Sequence, residues 1–430
     1  MSSLNTRDLL PRGRPIAQRG RTATQRGLAS LIVVIIIFVA MGMAMVYANR
    51  NLTMESRISG NQYRATLAME AAEAGLEWAT AMLNKPEKIT TSCTTSAVAS
   101  DLRFKQKYIA VDTSNGVLTP AAGVVHAACV ANQNASGWTC SCPTAGTAPN
   151  PGAAAPTSGY QPSFAVQFVA NAVAGTVQLI SYGCTVPITD ATCTGDGVAT
   201  VRMALGGVSG LSTPPASPLT ARGRVSIGNA ALGVINGDPS SNGITINAGM
   251  DIDAPNARVT TVPGTPPQST LVGNDASLRN TTEDQMFATF FGMSKASYKT
   301  LPSVKQITCP CTETTITNAY AEGVRQFWLE GNLAMNANIT IGSDTDPVLV
   351  VTNGNVEMRG DLRIFGVFYS TAITWDNTGG GGALLQGAAI SEGNYTGNGT
   401  PDYYYDPRVL SRLRFDQASY VRVPGSWRDF

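Results

Sequence analysis

The sequence predicts an α+β protein in which one long N-terminal helix precedes β-rich domains. Three observations support this fold class. An uncharged run from Leu28 to Ala48 continues into a proline-free stretch whose apolar residues have helical spacing. Beyond Pro86 the chain is rich in Ala, Gly, Thr, Val and Ser, arranged as short alternating runs between turn residues. With 430 residues, 43% of them hydrophobic, the chain is long enough for about two or three domains.

The charge balance and the residue types exclude several functional classes. The chain has 30 Lys and Arg against 29 Asp and Glu, so its net charge of +1 offers no basic surface, and we expect no nucleic-acid partner. His126 is the single histidine, which excludes sites that need two imidazoles. The sequence contains no phosphate-binding loop and no GxSxG motif. We therefore expect no enzyme activity, no cofactor and no bound metal.

Residues 1–27 form a basic leader that precedes an apolar helix. The leader holds six arginines and one acid, and 21 uncharged residues follow it from Leu28 to Ala48. At 1.5 Å per residue these make a helix of about 31 Å, enough to span the hydrocarbon core of a membrane. The positive-inside rule keeps the leader cytoplasmic, so the chain beyond Arg50 is exported.

Two cleavage routes compete at this N-terminus. A secretory signal peptide would be cut after Ala48, where Val46-Tyr47-Ala48 offers a site. A leader that ends at Gly27 would instead be removed and leave the apolar helix on the mature chain. The length of the apolar run favours the second route, which requires the helix to continue beyond the membrane.

The residues after the apolar run do continue the helix, to about Asn84. Glu70, Glu73 and Glu77 occupy one face. Pro86 cannot continue the backbone ladder, so the helical domain is residues 28–85, about 85 Å long. A single apolar stripe is predicted from steps of three, four and seven residues; it comprises Ile58, Ala65, Ala68, Ala72, Leu76, Ala79 and Leu83.

Three segments of this region carry a family resemblance: Gln25-Arg26-Gly27, Met54–Gln62 (MESRISGNQ) and Ala71–Gly75 (AAEAG). Together they resemble the N-terminal region of PilX-type minor pilins of bacterial type IV pili, over about the first fifth of the chain. The resemblance implies that prepilin peptidase cuts between Gly27 and Leu28. It also implies that the helix stays in the inner membrane, with the rest of the chain in the periplasm, until the subunit enters the pilus on the cell surface. The implied partners are other minor pilins and the major pilin, contacted through the helix, and a large tip adhesin.

One position departs from the pattern of major pilins. Those proteins carry a glutamate at the fifth mature position, where it pairs with a neighbour's terminal amine, and this chain has Ile32 there. An unpaired carboxylate in an apolar environment costs several kcal/mol. A glutamate at this position would therefore destabilise a subunit that has no partner above it. This favours a position at the fibre tip and a role in pilus priming; alternatively, the carboxylate is dispensable in this subfamily.

Residues 86–210 are predicted to form a β-rich, pilin-like head. Strands are expected at Phe164–Ala170, Thr176–Tyr182 and Val198–Leu205, as an antiparallel sheet packed on the apolar stripe of the helix. Residues 143–162, rich in Ala, Gly, Pro and Thr, are read as an exposed loop. The prolines within residues 211–219 mark the end of this domain.

Residues 220–395 contain weak repeats that predict a parallel β-solenoid. GNLAMNANITIG from Gly331 aligns with GNVEMRGDLRIFG from Gly354, and segments from Gly223 and Ala248 share the same strand and corner. A β-sandwich is the alternative. Residues 280–300 are expected to form a helical insertion that plugs one end of the stack, and residues 396–430 a basic, aromatic C-terminal tail. The residues predicted to line the solenoid core are Val356, Met358, Leu362, Ile364, Val367 and Ala389.

All eight cysteines follow the apolar run, in an oxidising compartment that favours disulfides over zinc. Cys184 and Cys193 are expected to close a ten-residue loop. Cys93 is expected to pair with Cys129, or one of the two with the Cys140/Cys142 pair. The further disulfide candidates are Cys93, Cys129, Cys140, Cys142, Cys309 and Cys311.

Several short acidic motifs are weaker candidates for function. Two pairs of carboxylates could contribute to calcium binding: Asp344/Asp346 and Asp251/Asp253. Neither pair lies in a calcium-loop motif, so solvated turns are expected. Arg359-Gly360-Asp361 is an adhesion-type tripeptide, expected at a corner, and Asp402/Asp406 is a carboxylate pair of the kind that cleaves sugars. The sequence thus predicts a minor pilin that acts in pilus assembly. The alternative is a pilin-anchored adhesin or carbohydrate-binding solenoid.

Overall fold

The computed structural model describes residues 26–121, 125–133, 136–152, 159–188, 193–195, 197–377 and 381–429, with side chains from residue 30 onward. It divides into two compact units, residues 1–63 and 64–430. Most of the predicted leader, residues 1–25, lies outside the described residues.

One helix, α1 (Arg26–Asn84), provides the described part of the first unit and the beginning of the second. Its end at Asn84 confirms the prediction from Pro86. The Asn84 side chain accepts a hydrogen bond from the Tyr420 amide and donates one to the Tyr420 carbonyl oxygen, each at 2.8 Å. The last turn of the helix is therefore fixed to the C-terminal part of the chain.

An antiparallel sheet, here sheet I, lies in the second unit. It contains the strands expected from the sequence at 164–170, 176–182 and 198–205, each with bounds extended by zero to three residues. A separate two-stranded hairpin, β1 (Ile109–Val111) and β2 (Leu118–Pro120), flanks it. The elements of this region are α2 (Phe104–Tyr108), β1 (Ile109–Val111), β2 (Leu118–Pro120), β3 (Ala127–Ala131), β4 (Trp138–Ser141), β5 (Ser163–Ala170), β6 (Thr176–Cys184) and β7 (Val198–Val208). Sheet I has the order β7-β6-β5-β3-β4.

The second half of α1 packs on sheet I through small residues. Ala68, Ala72 and Ala79 are fully buried, in a core that also contains Phe164 and Leu179. Five members of the predicted stripe are buried: Ala68, Ala72, Leu76, Ala79 and Leu83. The prediction was wrong for Ile58 and Ala65, which are exposed, because Ile58 belongs to the first unit and the buried part of the stripe begins at Ala68.

Gly183 should be intolerant of a side chain, because α1 and β6 approach closely there. A Cβ at this position would overlap the carbonyl oxygen of Ala68 and lie 2.9 Å from the Cβ of Ala72. Gly183→Ala should lower the free energy of unfolding by about 1–3 kcal/mol, measured by urea unfolding in detergent. Gly237→Ala is the control, since no atom lies within 4 Å of its added Cβ. Equal stability of the two variants would contradict the close packing.

Residues 219–404 form two parallel sheets, and the chain passes back and forth between them. The first half contains β8 (Leu219–Ala221), β9 (Val225–Ser226), β10 (Gly233–Asn236), β11 (Ile246–Ala248), β12 (Ile252–Asp253), β13 (Arg258–Thr261), β14 (Leu271–Val272), α3 (Ala276–Arg279), α4 (Glu283–Phe291) and α5 (Lys295–Lys299). The second half contains β15 (Val304–Thr308), β16 (Cys311–Thr312), α6 (Glu313–Ala321), β17 (Gln326–Glu330), β18 (Leu333–Asn336), β19 (Thr340–Ile341), β20 (Val348–Thr352), β21 (Asn355–Arg359), β22 (Arg363–Ser370), β23 (Ala372–Asn377), β24 (Leu384–Ser391), β25 (Tyr395–Gly399) and β26 (Asp402–Tyr404).

Sheet II has twelve described strands, with the main order β13-β10-β26-β24-β22-β20-β17-β15, and sheet III has seven, in the order β12-β9-β25-β23-β21-β18-β16. Successive turns place apolar residues in register: Leu333 pairs with Val356, Val356 with Ile373, and Ile373 with Tyr395. All four are fully buried in one inner core. Stacking thus supplies the burial that a single turn of the chain lacks.

The turns do not stack in the order of the chain. Strand β8 pairs with β24 through Leu219 and Ala389, and with β11 on its other side. The first turn of the stack, which contains β8, therefore lies between the second turn, which contains β11, and the last turn, which contains β24. The chain then crosses the outer face of sheet II and continues with β15, the strand at the opposite end of that sheet.

The predicted helical insertion covers a face of the stack and does not plug its end. The apolar residues Phe287 and Phe291 of α4 and Tyr298 of α5 are buried against Trp328 and Tyr369 of sheet II. The prediction of an end plug was therefore wrong. Val367, expected in the inner core, belongs to this outer cluster, whereas Val356, Met358, Leu362, Ile364 and Ala389 lie in the inner core.

The predicted tail at 396–430 is part of both sheet systems. Strands β25 and β26 belong to the parallel sheets, and α7 (Pro407–Phe415) packs through Leu410 and Leu413 on sheet II. Strand β27 (Ser419–Arg422) then pairs antiparallel with β7 in sheet I. The boundary predicted at 395/396 was therefore wrong, since the chain returns from the parallel sheets to complete the antiparallel one.

Candidate assembly interface

The first unit exposes a long run of large apolar side chains. Leu31, Phe38 and Met45 are 59%, 73% and 71% exposed, and each residue from 30 to 59 is exposed. The most apolar 18-residue window of the helix has a mean hydropathy of 2.8. By length and composition this helix can cross a membrane, and within the described part of the chain its large apolar side chains from Leu31 to Tyr47 stay exposed.

The predicted cleavage and pairing positions lie at the beginning of this helix. Gly27 and Leu28 fall in the first turn of α1, where the structure describes the backbone and not the side chains. Ile32 is 51% exposed among other apolar side chains. The place at which major pilins carry an acid is therefore an uncharged part of an exposed apolar surface.

A groove in the second unit lies between the glutamate face of α1 and the C-terminal residues. Its volume is about 560 Å³, and its lining includes Glu70, Glu73, Glu77, Arg422 and Trp427. Arg422 forms an ion pair with Glu77. Trp427, placed by the sequence in a basic tail, is 48% exposed at this groove.

Comparison with known proteins identifies the exposed helix. Residues 26–77 match the family model described as PilX N-terminal. This segment of α1 is similar to the N-terminal region of PilX-type pilins. This match confirms the resemblance drawn from MESRISGNQ and AAEAG, and together with the apolar helix it fits a membrane-anchored, pilus-associated protein.

Other comparisons add little to this assignment. The competence-associated pilin ComZ from Thermus thermophilus aligns with 85% of this chain and 98% of its own, at 11% identity and a TM-score of 0.20, which is too low to carry an argument. No curated protein matches the sequence.

The eight cysteines of the chain form four disulfides. Cys184 is bonded to Cys193, as expected, and Cys309 to Cys311. Cys93 is bonded to Cys142 and Cys129 to Cys140. The pairing of Cys93 with Cys129 was therefore wrong, and the alternative of a bond to the Cys140/Cys142 pair is confirmed. The register explains the difference, because Cys129 and Cys140 lie directly opposite each other on β3 and β4.

A buried charge cluster, which sequence reasoning missed, connects the region of sheet I to the parallel sheets. Asp346 accepts hydrogen bonds from Arg325 at 2.6 Å and Arg103 at 3.2 Å, and Arg103 also donates to the Gln417 side chain at 3.1 Å. Burial alone would raise the pKa of Asp346, but the two guanidinium groups outweigh it and hold that pKa below its ordinary value. The four residues are far apart in sequence, so no local pattern indicates the cluster.

Lys105 lies beside this cluster without a carboxylate in direct contact. It is 8% exposed, and burial, together with repulsion from Arg103, lowers its pKa from 10.5 to about 7. Between pH 7 and pH 10.5 the unfolded chain therefore binds a proton that the folded chain has lost, so stability rises with pH across this window.

Lys105→Met should remove this pH dependence. The free energy of unfolding of the unaltered protein should rise from about pH 7 to pH 9, and that of the variant should change less with pH, as measured by denaturant unfolding at each pH. Lys305→Met, which alters an exposed lysine on β15, should keep the slope. If the free energy of unfolding of the two variants changed with pH in the same way, the lowered pKa given to Lys105 would be contradicted.

The remaining sequence candidates are structural. Asp251 forms an ion pair with Arg224 at 2.8 Å, and Asp402 with Arg258 at 2.7 Å, while Asp406 caps α7. Among the described residues, no group of three or more His, Cys, Asp or Glu is placed to hold a metal ion.

The two other singled-out positions are also part of the fold. Gly360 forms a corner after β21, where the Asp361 amide donates to the Asn338 side chain at 2.9 Å. His126 is buried against Phe168 and Tyr108, and burial lowers its pKa. His126 is therefore a core residue of the head region.

Proposed function

We propose that this pilin is a minor pilin of a type IV pilus, a non-enzymatic structural subunit that assembles through α1. The observation that carries the proposal is the division of this helix. One face of the helix from Ala68 to Leu83 is buried on sheet I, whereas the apolar residues from 30 to 54 are exposed and belong to the segment that matches the PilX family. An apolar helix of this length is stable only in a membrane or among other helices.

The two sheet systems have separate roles in this proposal. Sheet I and the second half of α1 form a pilin-like antiparallel head, supported by the pairing of β5, β6 and β7. Sheets II and III form a parallel β-solenoid, supported by the alternation of the chain between them and by the in-register apolar columns. The solenoid is the part displayed outward, as a cap, an adhesive surface or a docking site for a large tip adhesin.

The subunit begins in the bacterial inner membrane with its C-terminal part in the periplasm. Prepilin peptidase cuts between Gly27 and Leu28, and the helix then joins those of other minor pilins and the major pilin. We infer no cofactor and no nucleic-acid partner. An uncharged Ile32 favours a place at the tip and a role in priming. Deletion should then reduce the number of pili per cell, counted by electron microscopy, and unchanged piliation would argue against priming.

A pilin-anchored adhesin or carbohydrate-binding solenoid is the second candidate, favoured by the outer face of sheet III. Glu357, Thr374 and Thr396 lie in one row across three strands, all exposed, with the two threonine hydroxyls 2.9 Å apart. Such a row offers hydrogen-bonding groups at the spacing of the strands, about 4.8 Å. Glycan-array binding by the full chain, lost in Glu357→Ala with Thr374→Ala, would support this candidate.

N-terminal sequencing of the protein from sheared fibres tests the main proposal. Leu28 as the first residue, in the fibre fraction, is expected. Gly27→Asp should leave the chain uncut and absent from fibres, whereas Gly20→Asp, elsewhere in the leader, should be processed normally. Asn49 as the first residue, or a soluble mature protein, would contradict the proposal and support ordinary secretion.

A further inference from the structure

A small cavity, here the cationic cavity, lies where the end of α1 meets α2 and the beginning of β17. Its volume is about 20 Å³, enough for one water molecule or one monatomic ion and too small for sulfate or phosphate. The ionisable side chains among its described lining residues are all basic; they are Lys85, Arg103, Lys105 and Arg325. A cavity lined by cations alone favours an anion over a neutral occupant.

The carboxylates around the cationic cavity are outnumbered by cations. Asp346 is shared by Arg103, at 3.2 Å, and Arg325, at 2.6 Å. A second carboxylate, Asp416, forms its ion pair with Arg412 at 3.3 Å. Each of these carboxylates is therefore already engaged by a guanidinium group. Among the described residues the positive charges at the cavity remain in excess, and one bound anion would lower that excess.

Two basic side chains of the cavity have donors that the fold does not use. The Arg325 guanidinium donates through Nη1 to two backbone carbonyl oxygens and through Nη2 to Asp346. Its Nε–H is buried and has no hydrogen-bond partner in the described part of the chain. Lys105 is buried as well and forms no ion pair with any described residue. A buried donor without a partner is costly, and more so when it belongs to a charged group, so both favour an acceptor in the cavity that they line.

We propose that the cationic cavity binds one chloride ion, held by the side chains of Arg103, Lys105 and Arg325. Chloride fits the volume, and it accepts hydrogen bonds from any direction, which suits donors that come from separate elements. The ion joins α2 to the segment that leads into β17, beside the link that Asp346 makes between the two arginines. The site stabilises the subunit itself, and it does not depend on assembly into a pilus.

Chloride binding is coupled to the proton on Lys105. Burial, then repulsion from Arg103 and Arg325, lowers the pKa of this lysine to about 7, although Asp416 and Asp346 act in the opposite direction. An anion beside the ammonium group favours its charged form and therefore raises that pKa. By the same linkage the ion binds more tightly below about pH 7 than at about pH 9, where the unliganded folded chain has lost the proton.

Urea unfolding of the full chain in detergent tests the site, with sodium chloride compared with sodium gluconate at equal ionic strength. Gluconate is too large for a cavity of about 20 Å³. Chloride at about ten times its dissociation constant should raise the folding equilibrium constant about tenfold, because the ion binds the folded chain and not the unfolded one. The gain should be present at about pH 6 and largely lost at about pH 9.

Lys105→Met is the test variant, and Lys305→Met, which alters an exposed lysine on β15, is its control. At about pH 6 the first should lose the gain from chloride and the second should keep it. General effects of salt on the protein surface act on both variants and cancel in the difference. An equal gain in the two variants, or no gain in the unaltered protein, would overturn the proposal. The cavity would then hold one water molecule, which can also donate to the buried, unpartnered Gln326 Oε1.

A measurement on the unaltered protein keeps the proposal testable if Lys105→Met fails to fold. The NMR line of chloride in solution should broaden when the protein is added, because free ions exchange with the bound one. Bromide, a halide of similar size, should narrow that line by competition, whereas gluconate should leave it broad. A chloride line that does not broaden, or that bromide fails to narrow, would overturn the site.

Discussion

Asp346→Asn should lower the free energy of unfolding by about 3–5 kcal/mol, among the largest effects of a single substitution in this chain. The carboxylate neutralises Arg103 and Arg325, whose side chains are 5% and 8% exposed. Asparagine preserves the shape and removes the charge, so two buried cations lose their common counter-ion. Unfolding in urea, followed by circular dichroism in detergent, measures the change.

Asp344→Asn is the matched control, since Asp344 is exposed two residues away. It should change the stability by less than about 0.5 kcal/mol. Because the pKa of Asp346 is depressed, the stability that its charge provides is present above the ordinary carboxyl pKa and disappears as the pH falls through the lowered value. A variant as stable as the control, or one with the same acid sensitivity as the unaltered protein, would refute the role given to this carboxylate.

Removal of the Cys93–Cys142 disulfide should cost about 4 kcal/mol, the largest effect among the four bridges. The bridge joins residues 49 positions apart, and the chain-entropy cost of leaving a loop open grows with its length. Cys184→Ser with Cys193→Ser, at a separation of 9, should cost about 3 kcal/mol, and Cys309→Ser with Cys311→Ser, at a separation of 2, about 1.5 kcal/mol.

The order of the three double variants is the result to compare. Thermal unfolding of each, with the unaltered protein as reference, gives the ranking without dependence on the absolute values. If the Cys309–Cys311 variant were the least stable, loop length would not be the controlling factor. The local packing of the Cys309–Pro310–Cys311 corner would then have to explain the stability.

Local signals in the sequence predicted the individual elements well. Pro86 placed the end of α1, and alternating apolar residues placed the strands now called β5, β6 and β7. The small residues of the stripe, from Ala68 to Leu83, indicated which face of the helix is buried. In each case the information lies within a few residues of the feature, where helical and strand periodicity operate.

Features that depend on distant contacts were missed or wrong. The pattern of Phe287 and Phe291 shows that α4 buries one face, but not that this face covers the outside of sheet II. The sequence predicts a tail where strand β27 lies, because the partner of this strand, β7, is about 210 residues earlier. The groove at Trp427 and the cluster at Asp346 also form by contacts between residues that are distant in sequence, so no single stretch of sequence indicates either of them.

The position of β8 between β11 and β24 has a consequence for export. Leu219 pairs with Ala389, 170 residues later, so in a chain exported as we propose this strand enters the periplasm long before its second neighbour has crossed the membrane. Until residues 384–391 emerge, β8 presents a bare edge, which is the kind of surface that recruits foreign strands. Completion of the stack is therefore a late and slow event in biogenesis, because pairings of such long range must wait for loop closure. During that interval, export as proposed makes the unfinished chain dependent on factors that shield newly exported polypeptides.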